Sequence, residues 1–289
     1  MKGLSKLMMV CIMAAVMMMS VGCHKDSISP ILPYGALPGL FSVSATQQVF
    51  FSQGNLQYQA STDTWRFAEH QYDYVGTQTA DGDGYHGGNV SGSDNRNISS
   101  TYSGWIDLFG WGTGSNPTLS SSNREDYGTF VDWGCNSISN GGNTANRWRT
   151  LTADEWYYLL NTRTDALSKK GRGNINGVGG LILLPDSWTL PSECSFTSEY
   201  ATYDVGWTRN SYTLAQWSQM EAAGAVFLPA AGDRIGTNVY RVGHGGYYWS
   251  SSPGYENHAY NMFFNRYDLY ATYNSNRYLG FSVRPVQDN

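Results

Sequence analysis

Residues that could do chemistry are few in this 289-residue chain, and their spacing points away from catalysis. No phosphate loop, nucleophile elbow, His-Glu-x-x-His pair or Gly-rich dinucleotide turn stands in it. His86, His244 and His258 sit among polar residues with no cysteine or carboxylate at ligand spacing, so each reads as a surface or contact side chain rather than a base. Asp81-Gly82-Asp83-Gly84 begins like a calcium loop. An EF-hand needs Gly at its sixth place and a carboxylate at its twelfth, and His86 and Gly92 occupy those places; a solvated loop is the expectation. Cys135 and Cys194 belong to no Cys-x-x-Cys pair, which argues against zinc. The chain therefore reads as a non-enzyme with no cofactor and no metal site.

Contact chemistry is concentrated near the C-terminus. Between Tyr247 and Leu279 stand eight Tyr, five Asn and four Ser, with no Lys and no Cys. Tyr offers large amphipathic area at low entropic cost, and Ser and Asn offer adaptable hydrogen bonds, the mixture used by antibody loops. Tyr255, Asn257, His258, Asn261, Asn265, Tyr267, Tyr270, Thr272 and Asn276 are assigned outward as the ligand-binding set. Met262, Phe264, Phe281 and Val283 are assigned inward, and Trp249 is expected to be buried beside Phe281. The plainer alternative is that Tyr and Asn decorate an exposed sheet face.

The elements that position these residues follow from periodicity. Three stretches alternate apolar and polar residues with a period of two, as half-buried antiparallel strands do. Met262 and Phe264 oppose Asn261, Phe263 and Asn265; Leu269, Ala271 and Tyr273 oppose Tyr270 and Thr272; Phe281 and Val283 oppose Ser282 and Arg284. Turn formers separate them at Pro253-Gly254, at 265–268 and at 274–276. Two helix starts are written as capping boxes, Thr152-x-x-Glu155 and Thr213-x-x-Gln216, the second helix stopping at Gly224. Apolar strands are expected at 180–184 and 225–228, and further strands at 41–51, 56–58, 65–67 and 72–75. Residues 76–101 read as a long surface loop, and the Trp-rich stretch 102–134 as packing. Two helices among antiparallel strands make an α+β, loop-rich plan.

Hydrophobic residues at 41% suffice for a core, while charged residues are only 14%. Residues 1–22 read as a secretory leader, with Lys2 and Lys6 before an apolar run of 13 from Leu7 to Met19, too short to span a bilayer comfortably. Loss of Lys2 and Lys6 takes the formal charge from −5 to −7, which excludes the basic stripe of a nucleic-acid groove. The run ends in Ser20-Val21-Gly22-Cys23, similar to a bacterial lipobox with Cys23 as the lipidated residue. With Cys23 acylated, Cys135 and Cys194 remain as an even pair for which an oxidising compartment permits a disulfide. Residues 23–40, carrying Pro30, Pro33 and Pro38, read as an extended tether, and 41–289 as a single domain with an N-terminal β extension.

Gly246-Tyr247-Tyr248-Trp249-Ser250-Ser251-Ser252, then 259–264, then Gly280-Phe281-Ser282-Val283-Arg284-Pro285-Val286 resemble the C-terminal end of the C-type-lectin-like fold. The resemblance is to the branch of the Fibrobacter succinogenes major paralogous domain and its Bacteroidetes surface lipoproteins. It covers about 151–286 and extends back toward Phe41. Formylglycine-generating enzymes and retroelement-diversified variable proteins share that fold. The redox cysteine pair of the former is absent, since no Cys follows Cys194, and so are the Glu-Pro-Asn and Trp-Asn-Asp signatures of calcium-dependent sugar binding. The resemblance implies an outer-membrane, surface-exposed lipoprotein held in the membrane by its lipid, binding a protein or glycan ligand through its C-terminal Tyr/Asn face. That face is either varied by a retroelement or fixed, as in a structural or adhesion paralogue. An enzyme of the formylglycine type is the remoter alternative.

Overall fold

The computed structural model describes residues 31–76, 94–198 and 206–289. The leader, Cys23, the first part of the tether, and the loop with Asp81, Asp83 and His86 lie outside the described residues. Strand β1 (Ala36–Ser42) turns through Ser44, whose hydroxyl accepts from the Thr46 and Gln47 amides, into β2 (Gln48–Ser52). The expected strand at 41–51 is thus a hairpin, and residues 36–40, expected in the tether, are part of the sheet. Hairpin β3 (Leu56–Gln59) and β4 (Thr64–Phe67) follows.

Residues 72–75, expected as strand, are irregular. The Asp73 amide closes a local turn by donating to the His70 carbonyl, and the Val75 amide is taken by the Asp107 carboxylate, so neither amide can serve a ladder.

Both capping boxes form. Thr152 and Glu155 exchange hydrogen bonds at the start of α1 (Ala153–Tyr157), which continues as a π-helical turn over Tyr158–Thr162. Strands β5 (Lys170–Ile175), β6 (Val178–Leu183) and β7 (Ser211–Tyr212) come next, before α2 (Leu214–Ala222), capped by Thr213 and Gln216. Then follow β8 (Val226–Pro229), β9 (Asp233–Ile235), β10 (Asn238–Tyr240), β11 (Gly245–Pro253), β12 (His258–Asn265), β13 (Leu269–Asn276) and β14 (Val286–Asp288).

The architecture is mixed α+β and loop-rich, with mostly antiparallel sheets in the orders β1-β2-β14, β7-β5-β6-β8 and β11-β12-β13 and the hairpins β3-β4 and β9-β10. Among the described strands, only β5 and β7 pair in parallel. The two apolar runs read from sequence, β6 and β8, lie side by side, with Leu181 opposite Leu228.

Two large hydrophobic clusters sandwich the terminal sheet β11-β12-β13. One face of the sheet supplies Tyr248, Met262, Phe264 and Ala271 to a cluster that includes Leu151, Trp156, Phe41 and Phe51. The other supplies Trp249 and Ala259 to a cluster that includes Phe109, Trp133, Phe281 and Val283. Met262, Phe264, Phe281 and Val283 are all buried, as their alternation predicts. They divide between opposite faces of the sheet. Trp105 is the exception to the packing of the Trp-rich stretch as such: Arg66 lies over its ring, 3.7 Å from the centroid, while Trp111 and Trp133 are in the core. Cys135 and Cys194 are free thiols, and burial raises the pKa of both.

Candidate ligand-binding site

A covered second face is what shapes the site. Tyr247, Trp249, Asn261 and Phe263 stand on the same side of β11 and β12, since Tyr247 pairs with Phe263 and Trp249 with Asn261. At the Trp249 end that side is sealed by Phe281, whose ring lies 4.3 Å from the indole. At the Tyr247 end it is open, and a cavity of about 380 Å³ forms there.

One irregularity in β13 enlarges the aromatic wall. Asn261 pairs with Tyr273 and Phe263 with Tyr270, so two steps along β12 match three along β13. The extra residue is a β-bulge, which shifts side-chain parity and brings Tyr270 and Tyr273 to one face although they are three apart. Tyr247 stacks on Phe263 at 4.7 Å and on Phe281 at 4.9 Å; Phe263 lies 6.1 Å from Tyr270 and 5.6 Å from Tyr273. The wall is thus a row of rings ending in two half-exposed tyrosines.

The opposite end is polar. Arg241 donates from Nη1 to Asp233 Oδ1 at 2.6 Å, the carboxylate being almost wholly buried and the guanidinium one third exposed. Burial pushes the Asp233 carboxyl up to about 6 against the pull of Arg241. Burial, the largest single influence, would lower the Arg241 guanidinium, but the charges and hydrogen bonds of Asp233 and Tyr247 together outweigh it and leave the group raised. Burial also raises the Tyr247 phenol. Arg241 sits at φ +59°, in the left-handed region, held there by a turn in which its carbonyl accepts from the His244 and Gly245 amides. A non-Gly residue in that region stores strain at the mouth of the cavity.

The expected ligand-binding set does not share one surface. Asn265 and Tyr270 line the cavity. The carboxamide of Asn265 is already engaged, its Oδ1 accepting from the Tyr267 and Asp268 amides and its Nδ2 donating to Asp268, so it builds the β12–β13 turn. Tyr267 projects from that turn and is 70% exposed. Thr272 is exposed within the bulge.

Tyr255 and Asn257 belong to the other turn, joining β11 to β12, with Tyr255 75% exposed, and His258 opens β12, paired with the half-buried Asn276. Asn261 is the clear correction. It is wholly buried, because Trp249 and the 279–283 segment cover the face that alternation alone makes solvent.

Cavity residues outside the expected set include Asp233, Arg241, His244, Asp268, Tyr247, Phe263 and Tyr273. Phe263 carried a usable signal, a large apolar ring on the polar side of its strand. Tyr273 carried a misleading one, since period two places it inward and only the bulge reverses that. His244 has its imidazole largely buried at the cavity edge, in contrast to a surface side chain. Among the described residues no three His, Cys, Asp or Glu side chains converge as metal ligands. Comparison of the chain with protein-family models, with curated proteins and with solved structures finds no match.

Proposed function

We propose that this chain is a ligand-binding surface lipoprotein of the C-type-lectin-like kind, anchored through a lipid on Cys23 and holding its ligand in the cavity between the aromatic row and the Asp233–Arg241 pair. The observation that carries the reading is the cavity itself: about 380 Å³, walled by rings with exposed faces on one side and by a prearranged ion pair on the other. Concave sites with an apolar lining and a few convergent polar groups are where proteins hold small ligands. The lectin-like assignment is supported by the joining of two motifs that carry the resemblance. The Trp249 amide donates to the Ser282 carbonyl, so the 246–252 and 280–286 segments form one unit of the core. Tyr255, Tyr267 and Thr272, exposed in turns and bulge, are positions that a varied display face could change at little cost to the fold.

The test uses the mature protein labelled with 3-fluorotyrosine and a panel of neutral sugars, amino acids, nucleosides and short peptides. Binders are expected to shift the Tyr247, Tyr270 and Tyr273 resonances, assigned through single Tyr→Phe variants. A panel in which every binder shifts Tyr255 or Tyr267 alone would place the site elsewhere and sink the reading. Anchoring is read separately: wild type enters the detergent phase and Cys23→Ser the aqueous phase, whereas equal partitioning refutes the lipid.

A further inference from the structure

We infer that the open end of the aromatic row takes a small, weakly hydrated organic cation, a methylated ammonium, held between the rings of Tyr270 and Tyr273 and the Asp268 carboxylate. The inference rests on the ligand-binding reading above and adds the class of ligand.

Charge decides the first half. Of the charged groups lining the cavity, Asp233 and Arg241 lie 2.6 Å apart and balance each other. Asp268 is the charge left over. Its Oδ2 accepts from the Asn265 side chain at 3.1 Å, and it forms no ion pair among the described residues. Two arginines near this turn stand outside the cavity lining: Arg172 donates to the Asn265 carbonyl at 2.6 Å, and Arg266 is exposed, where water and salt screen it. With His244 neutral, the lining therefore carries one negative charge in excess. An anion is repelled by Asp268 and meets a guanidinium that is already paired. A wholly apolar ligand would strip water from Asp268 and return no hydrogen bond.

Aromatic faces decide the second half. The row already carries a cation at its polar end, where the Arg241 guanidinium stands 5.8 Å from the Tyr247 ring centroid. At the open end Tyr270 and Tyr273, 47% and 45% exposed, have no cation over them among the described residues. Their centroids are 5.7 Å apart and their planes tilted by 45°, so both can turn a face toward one point. Asp268 precedes Tyr270 by two positions and lines the same cavity, about 7 Å back along the strand direction. That is roughly two contact distances, so one head group spans the carboxylate and the rings. Ring faces attract cations most effectively where water is excluded, which favours a methylated ammonium over a strongly hydrated amine or metal ion. At about 380 Å³ the space is near the lower end of ligand sites, which suits a ligand of that size.

The test is titration of the fluorotyrosine-labelled protein with choline, ethanolamine, sodium chloride and 3,3-dimethylbutanol, the uncharged isostere of choline. EDTA is present, and the pH is 8, where an ordinary imidazole is neutral. Choline should shift Tyr270 and Tyr273 at millimolar concentration, with the other three about tenfold weaker. Asp268→Asn keeps an oxygen for the Asn265 side chain, so the turn is retained; choline should weaken about tenfold and dimethylbutanol should not change. Tyr270→Leu, read at Tyr273, should weaken choline, whereas Tyr270→Phe should keep it, because the ring face and not the hydroxyl is the contact. This pair carries the test if Asp268→Asn does not fold. Choline no tighter than its uncharged isostere or than ethanolamine overturns the inference, as does a folded Asp268→Asn that binds choline unchanged. Shifts at these tyrosines only with neutral or anionic compounds of the broader panel also overturn it, while leaving the ligand-binding reading intact. Silence at those tyrosines with every compound in both panels removes both.

Discussion

Trp249 shows how much one side chain can join. Its indole donates to the Phe109 carbonyl at 2.7 Å, its backbone amide donates to Ser282, and it is 1% exposed. Trp249→Ala leaves a large void and leaves the Phe109 carbonyl with the Phe281 amide alone, so a loss of about 3–5 kcal/mol in denaturant titration is expected. A loss under about 1 kcal/mol would mean the sheet does not close over it. Asn261 occupies the neighbouring position across the strand, buried and bonded weakly to the Met262 carbonyl at 3.4 Å. Asn261→Asp would place a carboxylate there without a cation, and the midpoint of unfolding should fall by more than about 2 kcal/mol in stability at pH 7. Asp233 carries a pH signature. Its folded value of about 6 lies above the ordinary carboxylate value of about 4. Between those pH values the native state holds a proton that the unfolded state has released. The contribution is thus full below about pH 4 and lost as pH rises through about 6. Asp186 and Asp288 act in the opposite window. Burial alone would raise them, but hydrogen bonds from Ser42, Gln48 and Arg149, with the charges of Arg163 and Arg149, hold them below the usual range. Their contribution is present above about pH 4 and disappears as pH falls. Asp233→Asn should therefore gain stability relative to wild type between pH 4.5 and pH 7, measured by urea unfolding; parallel profiles would show that Asp233 ionises normally.

At the scale of elements, the short helix α1 is tied down by its cap rather than by its length. Five residues cannot support a helix alone. Thr152 and Glu155 satisfy each other's backbone amides, and Glu155 also receives Arg149, which bonds Asp288 at 2.7 Å on its other side. The N-terminus of α1 is thereby joined to β14. Thr152→Ala should cost about 1 kcal/mol, the usual worth of a cap, seen as a lower midpoint in thermal or urea unfolding. No change would show that the Arg149 network alone holds the helix. In β13 the bulge matters more than composition. Without it Tyr273 would follow its period-two parity into the core side, and the cavity would lose one of its two half-exposed rings.

For the molecule as a whole, the two ends of the folded unit close on each other. Strand β14 pairs with β2, placing Val286 opposite Phe51, and Arg149 exchanges backbone bonds with Val286. Nearby, Arg284 is wholly buried with no carboxylate partner among the described residues, its Nη2 donating to Gln71 Oε1 at 2.8 Å, while Gln71 in turn donates to Glu221. Burial lowers the Arg284 guanidinium to about 10, still charged at neutral pH. A C-terminal stretch that is so engaged cannot be trimmed freely. Removal of residues 286–289 takes a strand from the β1-β2-β14 sheet and the Asp288–Arg149 pair, and exposes Val49, Phe50 and Phe51. Loss of the cooperative unfolding transition at 25 °C is expected, followed by near-ultraviolet circular dichroism; a truncated chain with a native transition would refute the closure.

Local rules were enough for much of this. Both capping boxes, the apolar runs that became β6 and β8, the alternation of β12 and the inward residues Met262, Phe264, Phe281 and Val283 depend on neighbours within a few positions, so they are legible in the residue order. The same is true of the α+β class and of the Tyr-rich character of the terminal sheet. The site is different in kind. Alternation states that a strand has two faces, but it cannot say whether a second layer covers the polar one, and here the 279–283 segment covers it over Asn261 and leaves it open beside Phe263. Nor does alternation register a bulge, which is set by how β13 matches β12 rather than by either strand alone. Asp233 and Arg241 are eight positions apart, and only the β9–β10 hairpin with its left-handed turn sets them side by side. Composition near the C-terminus thus determined that the terminal sheet is rich in contact residues, and tertiary packing decided which of them share a cavity, because coverage and register are properties of pairs of segments.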